Sequence, residues 1–222
     1  MMESPDISIS AGAGGTAWRN NLLYYVAIPL FVGLLINWKV FFFPDYYAFE
    51  ANDEVAHTFT EINLVWKMLQ QGQLPLINLF NNFGTPLLGD PVVNPFAVQA
   101  LTYLFFSTYL AASINRFVMI ALSVSLLTFY YHKYCSFSFL ISSICAILVV
   151  MLPIFGWFSV NHPHQGVILY FVLVLIFQQR FAQNQNWPCL LLLYLALIIF
   201  VLSVGLNGLF FAIPFFLANY FI

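Results

Sequence analysis

The sequence predicts an all-α fold, a polytopic membrane helix bundle with an interfacial amphipathic helix in its first long loop. Three observations predict it. Of the 222 residues, 62% are hydrophobic and only 6% are charged, too few to give a water-soluble globule a polar surface. Apolar runs of the length that membrane helices need recur along the chain. The acidic residues are concentrated in one loop, between the first two of these runs.

Charge and cysteine content exclude two kinds of site. The six lysine and arginine residues are scattered singly and the net charge is -2, so the chain has no basic patch for nucleic acid. The three cysteines show no C-x-x-C spacing, so neither a disulfide framework nor a thiolate metal site is indicated. The Gly/Ser-rich segment 1–21 is predicted to be a disordered N-terminal tail.

Several candidate spans predict a multi-pass protein of the plasma (inner) membrane, with the lipid bilayer as its immediate partner. The membrane domain covers 22–222, and its long acidic loop covers 44–94. Prolines such as Pro29 and Pro153 predict kinks, and neighbouring groups can satisfy the carbonyls that they free. The apolar end of the chain predicts that this is the N-terminal part of a longer protein. The candidate spans are 22–43, 95–112, 117–132, 136–158, 166–179, 188–204 and 206–222.

One amphipathic helix is predicted inside the acidic loop. The stretch NDEVAHTFTEINLVWKMLQQG begins with the N-cap residue Asn52 and ends at Gly72, which suits the C′ position. Such a helix lies in the membrane interface and turns its polar face toward water or a cavity. Its apolar stripe comprises Val55, Phe59, Ile62, Trp66 and Leu69, and its polar face comprises Asp53, His57, Thr60, Glu61 and Gln71.

Asp53, His57 and Glu61 stack along that polar face, because they follow one another at intervals of four residues. A carboxylate and an imidazole one turn apart can abstract a proton together, or they can supply two metal ligands. In the alternative interpretation Asp53 only complements the helix dipole, and the other two form a solvated surface. The spacing leaves both interpretations open, assigns no metal site and leaves a divalent metal cofactor undetermined.

The loop continues with a stretch rich in turns, GQLPLINLFNNFGTPLLGDPVVNPF. Its prolines and glycines forbid a regular helix, while its leucines keep it at the membrane surface. Irregular backbone at a membrane needs partners for its polar groups. The stretch is therefore predicted to form the wall of a cavity that faces the amphipathic helix.

The order of these features resembles the first extracytoplasmic loop of GT-C class integral-membrane glycosyltransferases. One span is followed by an acidic residue, an interfacial helix and the turn-rich stretch. The chain is most similar to the YfhO-like branch, in which a G-x-L-P-x-W-N stretch precedes a G-x-P-L turn. It departs from that pattern at Ile77, where the branch often has Trp. The resemblance covers residues 22–115, and beyond them only hydropathy agrees.

The resemblance implies transfer of a sugar from a polyprenyl-phosphate-linked donor to an undetermined acceptor at the outer face of the membrane. The catalytic carboxylate of the family falls on Asp53, with Glu54 as the second candidate. His57 and Lys67 are the candidate contacts for the donor phosphate. Glu61 and Asp90 are further candidate substrate-binding residues.

A second polar island, SVNHPHQG, adds His162 and His164 to the candidate substrate-binding residues. Pro163 favours an extended turn there, so both imidazoles can face one pocket. They could complete a metal site with the acidic loop, or merely belong to a polar turn. The resemblance implies a second polar site on the same side as the first loop. If every candidate span crosses, however, the island lies on the opposite side; either 95–112 does not cross fully, or the island is cytoplasmic.

A function of a different class is also open, namely a non-catalytic membrane transport or assembly/scaffold component whose acidic loop binds a partner. Ion pathways generally require ionisable residues inside the membrane, and the predicted spans contain almost none beyond Lys39. No inverted repeat is visible either. These two observations favour the enzyme.

Overall fold

The structure is a computed structural model that describes residues 21–42, 59–74, 77–78, 85–86, 98–152 and 166–202. The described residues are predominantly helical. A π-helical turn, Leu23–Ala27, leads into α1, Ile28–Phe42, and a 3₁₀ helix, Val98–Leu104, precedes α3. One short antiparallel pairing joins β1, Ile77–Asn78, to β2, Thr85–Pro86. The other helices are α2, Phe59–Gln70; α3, Thr108–Tyr134; α4, Phe139–Met151; α5, Val167–Asn184; and α6, Trp187–Leu202.

The long helix α3 is the centre of the bundle, and its contacts fix the direction of each neighbour. Tyr25, at the start of the first helical segment, packs on Phe129, whereas Gly33 lies against Phe117. The first segment therefore runs antiparallel to α3. The α5 helix runs parallel to α3, because Val167 at its start clusters with Met119 and Gln179 near its end is hydrogen-bonded to Tyr130.

Two tight turns reverse the chain between consecutive helices. Between α3 and α4, Ser136 adopts a positive φ of 58°, and the Ser138 hydroxyl accepts a hydrogen bond from the Ile141 N–H at 3.4 Å. Between α5 and α6, Gln185 has a φ of 47°, and the Asn186 side chain accepts a hydrogen bond from the Cys189 N–H at 3.0 Å. Both turns place antiparallel helices side by side.

The bundle has two distinct ends. We call the end that holds the α3–α4 turn the aromatic end, because rings of the π-helical turn, α3 and α4 pack there, including the stacked pair Tyr24 and Phe139. We call the opposite end the α2 end. There α2 packs on the 3₁₀ helix and on the first turn of α3, through Ile62, Val65, Tyr103 and Ala111.

Two residues shape the contact between the first helical segment and α3. Gly33 leaves space for the close approach, and Pro29 alters the backbone hydrogen bonding. A Cβ atom at Gly33 would lie only 3.2 Å from the Phe117 ring, so a glycine is needed where the helices cross. Pro29 has no N–H to donate to the carbonyls of the preceding turn. The Ser125 hydroxyl of α3 donates to one of them, that of Tyr25, at 2.7 Å. The prediction that neighbours satisfy proline-freed carbonyls is confirmed here.

Two of the sequence-predicted spans have the wrong boundaries. Segment 95–112 is not one helix, since the 3₁₀ helix ends at Leu104 and a new helix begins at Thr108 after an extended Ser107. Segment 117–132 is only part of α3, which has 27 residues. The spans at 22–43, 136–158, 166–179 and 188–204 correspond to helices with shifted ends, and 206–222 lies outside the described residues, as do 1–20.

The helix α4 ends earlier than expected, at Met151. Leu152 has an extended backbone, with ψ at 138°, and Pro153 follows it in the sequence. A proline disfavours helical backbone in the residue before it, which explains the end of the helix.

The described helices expose many large apolar side chains, and their mainly apolar interior also contains several polar ones. Large hydrophobic residues such as Phe31, Leu35, Leu148, Leu191 and Leu195 are exposed, while polar residues are buried. Two helices, α3 and α5, are long and apolar enough to cross a membrane. The buried polar side chains between helices are Asn37, Ser113, Asn115, Ser123, Thr128, Ser142 and Ser143.

Candidate functional site

Only two of the eight predicted site residues, Glu61 and Lys67, lie within the described part of the chain, and both are on α2. The structure therefore leaves the predicted pairing of catalytic carboxylate and histidine as a prediction. The site residues outside the described residues are Asp53, Glu54, His57, Asp90, His162 and His164.

The helix predicted in the acidic loop is present over Phe59–Gln70, and its C-terminal end is as expected. Gly72 has a φ of 71°, and its N–H donates to the Leu69 carbonyl at 3.0 Å. The Gln73 N–H donates to the Met68 carbonyl at 2.9 Å. These two bonds form a Schellman motif, which confirms that Gly72 is the C′ residue.

The predicted faces of this helix are partly wrong. Ile62 is buried as expected, but Val65 is buried as well, and Leu69 of the predicted apolar stripe is exposed. Glu61, predicted on the solvated face, is only 5% exposed. The buried face thus runs through Glu61, Ile62 and Val65, because α2 packs against both the 3₁₀ helix and α3.

Glu61 and Lys67 have different surroundings. Glu61 is the only acidic residue among the described residues; its side chain is buried, and the residue takes part in an interaction. A buried carboxylate requires such compensation. Lys67, in the last turn of α2, is exposed. It lies where a cation complements the helix dipole, so its position is explained without a ligand.

The described residues that flank the second predicted polar segment can be placed along the bundle. Helix α4 runs back from the aromatic end, so Leu152 lies toward the α2 end. Gly166 precedes α5, which starts beside Met119 and runs parallel to α3. The described residues that flank segment 153–165 are thus on the side of α2. The side of the membrane on which 153–165 lies stays a prediction, because that segment is outside the described residues.

Sequence reasoning missed one residue at this end, Arg116. It is on α3, one turn beyond the Ala112 that packs with α2, and it is only 8% exposed. Its Nε is buried and has no hydrogen-bond partner. A buried arginine inside a helix of membrane-spanning length destabilises the fold unless other groups compensate its charge. Such a residue therefore suggests a function.

A second unpartnered polar atom lies at about the same position along the bundle axis as Arg116. Asn37 of α1 is 0% exposed; its Nδ2 donates to the Gly33 carbonyl at 2.7 Å, while its Oδ1 has no partner. Gly33 faces Phe117 and Ala121, and α1 is antiparallel to α3. Asn37 lies one turn beyond Gly33, a rise of about 6 Å. It is therefore at about the same position along the bundle axis as Arg116.

A signal for Arg116 was present in the sequence but was interpreted as a loop. Asn115 and Arg116 separate two apolar runs, so a hydropathy average falls at that point. The apolar positions nevertheless continue through it at helical spacing, with Ala112, Met119 and Val124 buried. Helical periodicity across the gap predicts one long helix with a polar buried face.

Neither a metal-binding cluster nor a comparison with known proteins adds evidence about this site. Within the described ranges no three His, Cys, Asp or Glu side chains are grouped so that they could hold a metal ion. No family model, no curated protein and no solved structure matches this chain.

Proposed function

We propose that the chain is a multi-pass plasma-membrane protein and a GT-C-like glycosyltransferase, or part of one. It transfers a sugar from a polyprenyl-phosphate donor to an acceptor at the outer face of the membrane. Asp53 acts as the general base for the acceptor hydroxyl, with Glu54 as the second candidate. His57 and Lys67 are the candidate contacts for the donor phosphate, and Glu61 is a further candidate substrate-binding residue.

The arrangement at the α2 end is the observation that carries this proposal. The acidic loop and the segment 153–165 are far apart in sequence, yet their described flanks lie at one end of the bundle. A transferase at a membrane surface needs its base and its donor-binding groups on the same side. The exposed apolar and buried polar side chains of the described helices support placement in a bilayer.

One observation favours the alternative, a non-catalytic transport or scaffold component. The argument against transport was the scarcity of ionisable residues in the spans, and the buried Arg116 of α3 weakens it. The two functions differ in their dependence on Asp53. Only the enzyme requires a carboxylate at that position to form a new glycosidic bond.

The test is sugar transfer by Asp53→Asn. Membranes that contain the variant are supplied with a labelled sugar on polyprenyl phosphate, and labelled glycolipid or glycan is measured at matched protein levels. Removal of a general base lowers the rate about 10²- to 10⁴-fold. Glu54→Gln and Glu61→Gln are the comparison variants. Wild-type amounts of product from Asp53→Asn contradict the assignment of the base, and absence of product from the wild type favours the scaffold.

A further inference from the structure

We infer that the aromatic end of the bundle binds anionic phospholipid headgroups of the leaflet that it faces, through the exposed cations Lys133 of α3 and Arg180 of α5. The inference rests on the membrane placement in the proposed function. It concerns the end of the bundle opposite to the α2 end, where sugar transfer is proposed. The partner is the bulk acidic lipid of a bilayer, such as phosphatidylglycerol, and not a sugar donor.

The fold brings these two cations to one end of the molecule, although they are far apart in the sequence. A side-chain hydrogen bond joins Tyr130 of α3 to Gln179 of α5. Lys133 lies three residues beyond Tyr130, and Arg180 lies one residue beyond Gln179. Because the two helices are parallel, both cations lie within about 5 Å of this bond along the bundle axis. Charges act on a lipid surface over a Debye length of about 8 Å, so the two side chains attract the same leaflet without touching each other.

Aromatic residues place the two cations at the depth of the lipid headgroups. Tyr and Trp side chains favour the boundary between acyl chains and headgroups. Tyr130 packs on Tyr131 and Tyr134 at this end, and Lys133 belongs to the same turn of α3. Trp187, the first residue of α6, is 81% exposed. Its indole therefore also reports on the lipids that surround this end.

The charge of the described residues at this end is positive. Glu61, the only acidic residue among them, is on α2 at the opposite end. The helix dipoles largely cancel, because α3 and α5 end here while α4 and α6 begin here. The dipole of its own helix explains a cation at Lys133, in the last turn of α3, but not at Arg180, which precedes the last turn of α5. A surface of this sign attracts acidic lipids.

Quenching of Trp187 fluorescence by brominated lipids tests the inference. The full chain, with its other four tryptophans replaced by phenylalanine, is reconstituted in phosphatidylcholine vesicles that contain brominated phosphatidylglycerol or brominated phosphatidylcholine. The quenching gives the affinity of one lipid relative to the other at the aromatic end. We expect phosphatidylglycerol to be preferred about 5- to 20-fold, and the preference to fall to about 1 when Lys133→Gln and Arg180→Gln are combined.

The matched control exchanges the two cations, Lys133→Arg with Arg180→Lys, and should keep the preference because it keeps the charge. Brominated phosphatidylcholine should quench all variants equally, which shows that Trp187 still faces lipid. About 1 M NaCl should reduce the preference, because it shortens the Debye length to about 3 Å.

Two results would overturn the inference: equal quenching by the two lipids in the parent protein, and an unchanged preference in the variant without the two cations. Absence of quenching by both lipids would contradict the inference together with the membrane placement on which it rests. Asp53→Asn should keep the lipid preference and lose sugar transfer. Failure of the proposed enzyme and failure of this surface are therefore distinguishable.

Discussion

At the scale of single residues, the hydrogen bond from the Ser125 hydroxyl to the Tyr25 carbonyl links two helices. Its length is 2.7 Å, and the carbonyl lies in the turn before Pro29, a residue that has no N–H to donate. We expect Ser125→Ala to lower the free energy of unfolding by about 1 kcal/mol. Ser123→Ala is the control, since the Ser123 hydroxyl donates within its own helix, to the Met119 carbonyl. The measurement is denaturation of the purified protein in detergent.

A double-mutant cycle identifies the cause of that loss. In Pro29→Ala the new N–H of residue 29 can donate to a carbonyl of the preceding turn, and if it takes that of Tyr25 the Ser125 hydroxyl becomes dispensable. The effect of Ser125→Ala should then fall to near zero in the Pro29→Ala background. An equal loss in both backgrounds would show that Ser125 contributes through packing alone.

The thiol of Cys135 gives a prediction about pH. It lies just after α3, and partial burial of the thiol raises its pKa above the ordinary value. A raised pKa means a smaller thiolate fraction at neutral pH, and the thiolate is the nucleophile. Alkylation of Cys135 by iodoacetamide should therefore be slower at pH 7 than in the SDS-denatured chain. Its rate should go on rising at pH values where the denatured chain has levelled off, and matching pH profiles would contradict this.

At the scale of elements, the end of α2 is where sequence reasoning and structure agree best. Gly72, at a φ of 71°, forms the Schellman motif that its position after the apolar helix predicted. A Cβ atom there meets no neighbour within 4 Å, so any effect of a substitution arises from the backbone. We expect Gly72→Ala to destabilise the protein by about 1 kcal/mol.

The matched variant for that experiment is Ser136→Gly, in the turn after α3. Ser136 is exposed and adopts a φ of 58°, a conformation that costs a residue with a Cβ about 1 kcal/mol. Relief of this strain should raise the Tm, opposite in sign to Gly72→Ala. A fall in Tm for Ser136→Gly would mean that the serine side chain stabilises the turn.

The elements also show why the site was less predictable than the helices. Glycine and proline act locally, and the end of α2 at Gly72 was predicted from neighbouring residues. The end of α4 before Pro153 has an equally local cause, although the predicted span 136–158 ran through it. The burial of Glu61 and Arg116 depends on which helices pack against α2 and α3, and this is determined by tertiary contacts. A hydropathy average treats all faces of a helix alike, so a buried polar face within α3 resembled a loop.

At the scale of the whole molecule, the directions of the helices predict a topology. If α4 and α5 both cross the membrane, Cys135 after α3 and Cys189 in the first turn of α6 lie at the aromatic end, whereas Gln71 lies at the α2 end. With the acidic loop outside, an impermeant maleimide should label Gln71→Cys in intact cells. Cys135 and Cys189, each kept as the only cysteine, should react only after lysis.

The opposite labelling pattern would contradict the proposed topology. Labelling of the two native cysteines in intact cells, with Gln71→Cys protected, would place α2 in the cytoplasm and contradict the proposed glycosyltransferase. Labelling of only one of them would contradict the parallel arrangement of α3 and α5, on which the common side of the two polar segments depends.

The early end of α4 affects the thickness of the bilayer around the protein. Its 13 residues span about 20 Å, whereas a hydrocarbon core is about 30 Å thick and the 27 residues of α3 span about 40 Å. A helix this short creates hydrophobic mismatch, which lipids relieve by thinning next to it. Such thinning brings water closer to Arg116, because Arg116 lies nearer to the α2 end of the bundle than the last turn of α4.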